Sequence, residues 1–425
     1  MLYRRQYRMR VRLEWVMVLL ALAPQVAGTQ EESMSRPDQR TAEAIELMES
    51  FARRTGLDSD RPPVRYLWTD AFAVCNFLGL ARATGAARYT ELALQLVDQV
   101  HHTLGRHHPD DPRSGWLSGL PEREGAAHPT RGGLRIGKQL PERGADEPID
   151  TDQEWDRDGQ YFHYLTKWMH ALDQVSRATG EPGFNAWARE LAQAAYNAFT
   201  YQPASERTPQ MVWKMSIDLT RPLVPSMGQH DPLDGYITTL QLRATAAGLP
   251  QPVTGPDLEK ATRRFAAMAE SGTWASPDPL GIGGLLIDAW RVAQLMQQGA
   301  VADAQLLERL LSAARAGLEH YARSGELQAP AEYRLAFREL GLAIGLHATE
   351  RLRQAVTANR IPASPEVRAA LAVLMRYIHM GDEIESFWRD PAQQRADTWS
   401  EHRDINAVML ATSLAPEGFL VLEAQ

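Results

Sequence analysis

Along most of the chain apolar residues recur every three or four positions and almost nowhere alternate with period two, so the pattern predicts a protein built from helices. Tyr161, Leu165, Trp168, Leu172 and Val175 make one stripe, and Phe162 and Met169 widen it until the helix is apolar around most of its girth. Such a helix must be buried. The helix expected next, over 184–199, keeps a single stripe through Trp187, Leu191 and Ala195 and turns Arg189, Glu190 and Gln193 away, as a half-wetted outer helix does. The same pair occurs earlier: a buried helix over 68–83 contains the uncharged AFAVCNFLGLA, and an amphipathic segment comes after it over 89–100. Both buried helices end in RATG, at 82–85 and 177–180, and an aromatic, Tyr89 or Phe184, stands four residues after the glycine. Glycine ends a helix in the left-handed conformation without a Cβ clash, and the aromatic can then seat the returning helix. RATAAG at 243–248 is a weaker third copy, and MVWKMSID at 211–218 is the one segment that reads as a strand, half of a small hairpin.

Six buried helices are expected to begin near Leu67, Asp158, Leu233, Leu280, Arg334 and Asp404, each preceded by an amphipathic one. Six inward helices with six outward partners are the pattern of an all-α (α/α)6 barrel, and over 38–416 the chain resembles the six-hairpin glycosidase-like superfamily. LWTDAF at 67–72 and EWDRDGQYF at 154–162 resemble the Trp-Asp-rich starts of inner helices in its trehalase-like and mannosidase-like members. The resemblance implies a pocket built by the loops that lead into the inner helices, and action on a carbohydrate. The repeats also admit an open helical solenoid, against which their unequal spacing and long polar loops count.

Composition narrows the function. The chain has 425 residues, 44% hydrophobic and 23% charged, enough for a large core, and its net charge of −8 lacks the basic excess of a nucleic-acid binder. A sugar or small polar metabolite fits better. The single cysteine, Cys75, lies in a charge-free run, which reads as a buried thiol and rules out an intramolecular disulfide or a thiolate-rich metal site. The first residues resemble an export signal, basic MLYRRQYRMRVR, apolar WVMVLLALAP and a small-residue site near VAG. Met34 and the amphipathic SRPDQRTAEAIELMESFARRTG after it read as a cytosolic start, which is the favoured alternative. The expected division is a 1–33 segment and a 34–425 barrel, cytoplasmic if Met34 is the start and periplasmic or secreted if the signal is real. No later apolar run approaches the roughly 18 residues that span a bilayer.

Polar clusters collect where the inner helices begin: Trp68 and Asp70; Trp155, Asp156, Arg157, Asp158, Gln160, Tyr161 and His163; His230, Asp231, Asp234 and Tyr236; Tyr333, Arg334 and Glu339; Trp399, His402, Arg403 and Asp404. Asp ahead of a helix is also a good N-cap, so Asp156, Asp158, Asp231 and Asp404 admit a purely structural reading. Caps need no neighbouring Trp, Arg and His, whereas a sugar site uses aromatic faces against the ring and charged groups for its hydroxyls. Glycoside hydrolysis needs two carboxyl groups about 5–10 Å apart, and the expected pair is Asp158 with Asp234, with Asp70, Glu339 and Asp404 as substitutes. The second reading is a sugar epimerase or isomerase of the acylglucosamine epimerase type, in which two facing imidazoles among His163, His230 and His402 would remove and return a proton on opposite faces of a sugar carbon. A third is a barrel that binds a sugar or a protein partner without catalysis. No cofactor or metal site is expected, since HHTLGRHH at 101–108 comes after an outer helix in surface-like sequence. The long loop over 106–155 would be a lid or a binding wall. Its GGLRIGKQ lacks the Ser or Thr of a phosphate loop, although Arg131, Arg135 and Lys138 could meet an anionic group.

Overall fold

The computed structural model describes residues 38–204, 208–249, 254–270, 272–301 and 303–422, and both readings of the first 33 residues fall outside them. The longer helices are α1 Gln39–Arg54, α2 Leu67–Thr84, α3 Ala87–Leu104, α4 Phe162–Thr179, α5 Pro182–Phe199, α6 Asp231–Gly248, α7 Glu259–Glu270, α8 Pro279–Gln297, α9 Ala304–Ser324, α10 Ala336–Thr357, α11 Pro365–Leu374, α12 His379–Arg389 and α13 Arg403–Leu414. Helix α2 packs on α4, α4 on α6, α6 on α8, α8 on α10, α10 on α13, and α13 returns to α2. That closed ring, not a solenoid, is an (α/α)6 barrel. The outer partners α3, α5, α7 and α9 lie against α2, α4, α6 and α8, α12 lies against α10, and α1 against α13.

Burial matches the apolar pattern. In α2 every residue from Leu67 to Leu80 is buried, because an inner helix is covered by its ring neighbours on two sides and by its outer partner on a third. Cys75 is fully enclosed there, and burial pushes its thiol up. Both RATG phrases do end their helices on a left-handed glycine, Gly85 at φ 68° and Gly180 at φ 71°, whose amides bond to Ala81 and Ser176. RATAAG does not: α6 stops at Gly248 and passes into extended chain at Leu249.

Three expectations change in detail. Helix α4 begins at Phe162 instead of near Asp158, because Gln160 and Tyr161 form a strand, β1 Gln160–Tyr161. The segment 211–218 contributes to two ladders: β2 Thr200–Tyr201 pairs with β3 Gln210–Met211, and β4 Lys214–Met215 lies between β1 and β5 Pro222–Val224, all antiparallel. Arg189 and Glu190 of α5 are buried and do not face water. Loop carbonyls of Thr254 and Pro256 accept from Arg189, and Glu190 accepts from His128 and Arg131, at 2.7 and 3.2 Å.

The described chain continues past 416, where the resemblance ends. A short turn, Glu417–Leu420, inserts into the ring from the end opposite the first turns of the inner helices. Phe419 stacks on Phe72 with ring centroids 4.3 Å apart, and the carbonyls of Gly418, Phe419 and Leu420 accept from Gln174, His170 and Gln294. Among the described residues no helix is long and apolar enough to cross a membrane.

Candidate active site

A cavity of about 320 Å³ opens where the inner helices start. Trp68 comes from the first turn of α2, His163 and Lys167 from the first two turns of α4, and Asp231 and Asp234 from the first turn of α6. Asp288 and Arg291 reach it from α8, Trp213 from the link between β3 and β4, the 228–230 loop covers one side, and Phe419 forms part of the floor.

The charged groups are not equivalent. Asp234 accepts from Thr166, from Lys167 Nζ at 2.8 Å and from Arg291 at 3.5 Å. Burial alone would push its carboxyl up, but Lys167 and Arg291 together outweigh burial and hold it below the usual carboxylate range. Arg291 also grips Asp288 at 2.9 Å and Gln241 Oε1 at 2.8 Å. Burial raises Asp288 in spite of that contact. One turn before Asp234, Asp231 is buried, and its Oδ2 has no hydrogen-bond partner. Burial, and after it the negative charge of Asp234, push the Asp231 carboxyl up to about 7. One carboxylate is therefore locked in its ionised form while its neighbour holds a proton near neutrality.

The histidine tautomers are set by their partners. An indole N–H can only donate, so the 3.1 Å contact from Trp213 Nε1 makes His163 Nδ1 an acceptor and leaves the ring proton on Nε2. Burial, aided by Lys167, pushes this imidazole down to about 3, so it is neutral. A carbonyl can only accept, so His230 Nε2 carries a proton toward Trp274 O at 2.6 Å, and in the neutral ring Nδ1 is the basic atom. His170, deeper in the cavity, has both nitrogens engaged, Nδ1 with Gln241 and Nε2 with Phe419 O.

Of the residues singled out in the sequence, Trp68, His163, His230, Asp231 and Asp234 line one cavity. The other candidates lie outside this lining. Asp158 is buried against Arg135 and accepts from the amides of Gly137 and Gly159, which clamps the 131–158 loop, so it does not face Asp234. Asp70 pairs with Arg65 at 3.4 Å and accepts from the Tyr66 amide at the start of α2. Glu339 is held by Arg334 and Trp388, and Asp404 by Arg54 at 2.7 Å. Gln160 serves backbone groups of Gly132, Leu134 and Ile217, and Arg157 pairs with Glu147. Tyr161 packs beside His163 and Trp213, Trp155 against Trp213, Tyr236 is half-buried, and Asp156 and Arg403 are exposed. His402 is exposed and packs edge-on against Phe337. Arg131, Arg135 and Lys138 do not line the cavity either: they meet Glu190, Asp158 and the Tyr66 ring. Among the described residues no cluster of three or more His, Cys, Asp or Glu side chains is arranged to hold a metal.

Lys167, Trp213, Asp288 and Arg291 were not singled out, and three of them left a signal. Asp288 and Arg291 are the only charges in PLGIGGLLIDAWRVAQLMQ, and Lys167 is the only cation in FHYLTKWMHAL. A charge within an otherwise apolar inner helix has to find a partner or line a cavity.

No protein-family model matches the chain, and no curated protein matches it in sequence. Solved structures similar to it include a sugar epimerase from a ruminal bacterium, 9% identical, with a TM-score of 0.44 over 80% of this chain and 86% of that one. Another is cellobiose 2-epimerase from Spirochaeta thermophila DSM 6192, 11% identical, with a TM-score of 0.44 over 81% and 87%. At such values the architecture rests on the closed ring of helices itself.

Proposed function

We propose that the cavity performs acid–base chemistry on a carbohydrate, moving a proton to and from a carbon beside the sugar carbonyl as an epimerase or isomerase does. The observation that carries this reading is a cavity lined by two imidazoles with opposite free nitrogens and by one unspent carboxyl group, Asp231. In the open-chain sugar, His230 Nδ1 takes the carbon-bound proton. Asp231, protonated near neutrality, gives its proton to the carbonyl oxygen, and neutral His163 can donate a hydrogen bond to that oxygen. When His230 returns its proton to the neighbouring carbon and Asp231 takes back a proton from the other enediol hydroxyl, the isomer forms; when water gives a proton to the original carbon from the other face, with His230 releasing its own to solvent and Asp231 regaining the one it gave, the epimer forms. Asp234 keeps Lys167 and Arg291 in place. The test is incubation of candidate sugars with the protein in D2O, then NMR. Deuterium should enter at the carbon beside the carbonyl, with loss of about 10²–10⁴-fold in rate in His230→Gln and in Asp231→Asn. A sugar that binds but neither exchanges nor changes would remove this reading.

Hydrolysis is the second reading, and the divergent Asp231 and Asp234 favour it, since an acid beside a carboxylate is what cleavage of a glycosidic bond uses. Against it, the other cavity carboxylates are engaged, Asp234 and Asp288 with Arg291, and Asp278 with Arg338 at 2.6 Å. Release of nitrophenol from aryl glycosides, abolished in Asp231→Asn, would decide for hydrolysis.

A further inference from the structure

The aromatic rings of the cavity form a series that continues past its wall. Trp68 stands edge-on to His163 with centroids 5.9 Å apart, and His163 stacks with Trp213 at 5.8 Å; all three line the cavity. Trp155 then stands edge-on to Trp213 at 4.9 Å, outside the lining and 56% exposed. A single exposed aromatic is ordinary on a protein surface, so its exposure alone decides nothing. Position does. Among the described residues every large apolar side chain left exposed, Val64, Trp155, Met227 and Tyr333 included, belongs to a connection from an outer helix into the next inner one, the end at which the cavity opens. None belongs to the connections at the other end. Trp155 is the member of this set that prolongs the ring series.

Volume adds a second constraint. About 320 Å³ is at the small end of the ~300–1,000 Å³ of small-molecule pockets and the cavity is open at its mouth, so a chain of several sugar units would reach past the lining residues. Resting on the carbohydrate reading above, we propose that Trp155 forms an outer subsite for a second sugar ring, so that the substrate is a disaccharide or longer chain with one unit in the cavity and the next on the indole face. The indole gives an apolar platform to the C–H face of that ring. Beside it, the Arg157–Glu147 pair, with Gln153 at 3.4 Å from Arg157, offers polar groups to its hydroxyls. The exposed apolar groups come from four connections, and Leu140 and Ile149 share the one that holds Trp155, so a chain that leaves the cavity over this loop meets more than one apolar side chain.

The experiment is calorimetric titration of the full chain and of Trp155→Ala with matched sugars: glucose against cellobiose and maltose, mannose against mannobiose. The unaltered protein should bind one disaccharide at least about tenfold more tightly than its monosaccharide, and Trp155→Ala should erase that advantage while leaving monosaccharide affinity and Tm unchanged. Trp155→Phe should keep most of it. Equal affinity for both lengths, or an advantage that persists in Trp155→Ala, would overturn the outer subsite and leave the carbohydrate reading standing. Failure of every sugar to bind would overturn both.

Discussion

Asp231 and Asp234 lie three residues apart on one helix, and their surroundings drive them in opposite directions. Asp234 faces two cations, whereas Asp231 faces Asp234 and has a buried oxygen without a partner. A buried carboxyl with one oxygen unpartnered, pushed up to about 7 from 3.8, binds its proton more tightly in the folded than in the unfolded chain. Between those two values the folded state therefore carries more protons, so stability falls as pH rises from 4 to 7, and the loss persists above that. Asp231→Asn keeps the shape without the charge. It should match the unaltered protein in stability near pH 4 and exceed it by about 2–4 kcal/mol at pH 8, with turnover lost, as denaturant titrations at the two pH values would show. A variant equally stable at both pH values would mean that Asp231 is ionised in the fold. The sequence placed both aspartates at the mouth of a helix but could not separate a free carboxyl from a spent one. What spends them is remote: Arg291 meets Asp234 across 57 positions, Arg135 meets Asp158 across 23, and Arg54 meets Asp404 across 350.

Helices were legible because burial imposes period on sequence, and all six inner helices begin within four residues of the expected positions. How closely two of them approach is written in a different code. Gly283 of α8 faces Gly341 and Gly345 of α10 so closely that a Cβ on Gly283 would lie 2.1 Å from Gly341 O, and one on Gly345 would lie 2.7 Å from Gly283 Cα. Glycine is needed there for backbone contact, and in LGIGGLL and LGLAIGL it is spaced to put one bare surface against another. The next residue, Gly284, has open space around its Cβ position. Adjacent glycines should therefore respond with opposite sign. Gly283→Ala forces α8 and α10 apart and should cost about 1–3 kcal/mol, whereas Gly284→Ala restricts the unfolded chain without a clash and should gain up to about 1 kcal/mol. Chemical denaturation of the two variants checks this, and a loss at both positions would show that the space beside Gly284 is filled. Amphipathicity misled where a loop covers an outer helix. Arg189 and Glu190 fit the polar face of α5, but the 128–131 and 254–256 segments lie over that face and bond to them.

At the scale of the whole molecule, a ring of six inner helices leaves an axial space that has to be filled at one end if the other is to serve as a pocket. Side chains of the inner helices fill part of it, and the Glu417–Leu420 turn fills the rest. Phe419 supplies apolar volume over Phe72 and borders the cavity, while consecutive carbonyls of the turn take the hydrogen bonds of Gln174, His170 and Gln294. The fit is tight, since a Cβ on Gly418 would lie 2.0 Å from Cys75 O of α2. Nothing in the hydrophobic period of EGFLVLEAQ distinguishes a plug from an ordinary tail, because the groups that receive it are spread over α2, α4 and α8. If the turn is the floor of the pocket, its two kinds of contact can be removed separately. Phe419→Ala should cost about 3–5 kcal/mol of stability through the void it leaves, and ligands with an added apolar group should then bind the variant better than the unaltered protein. Phe419→Leu, which keeps most of the volume and the backbone bonds, should recover most of the stability without the new ligand preference. Thermal unfolding with and without the larger ligands separates these outcomes. Loss of stability with no change in ligand preference would mean that Phe419 is only core packing, and that the floor lies elsewhere in the ring.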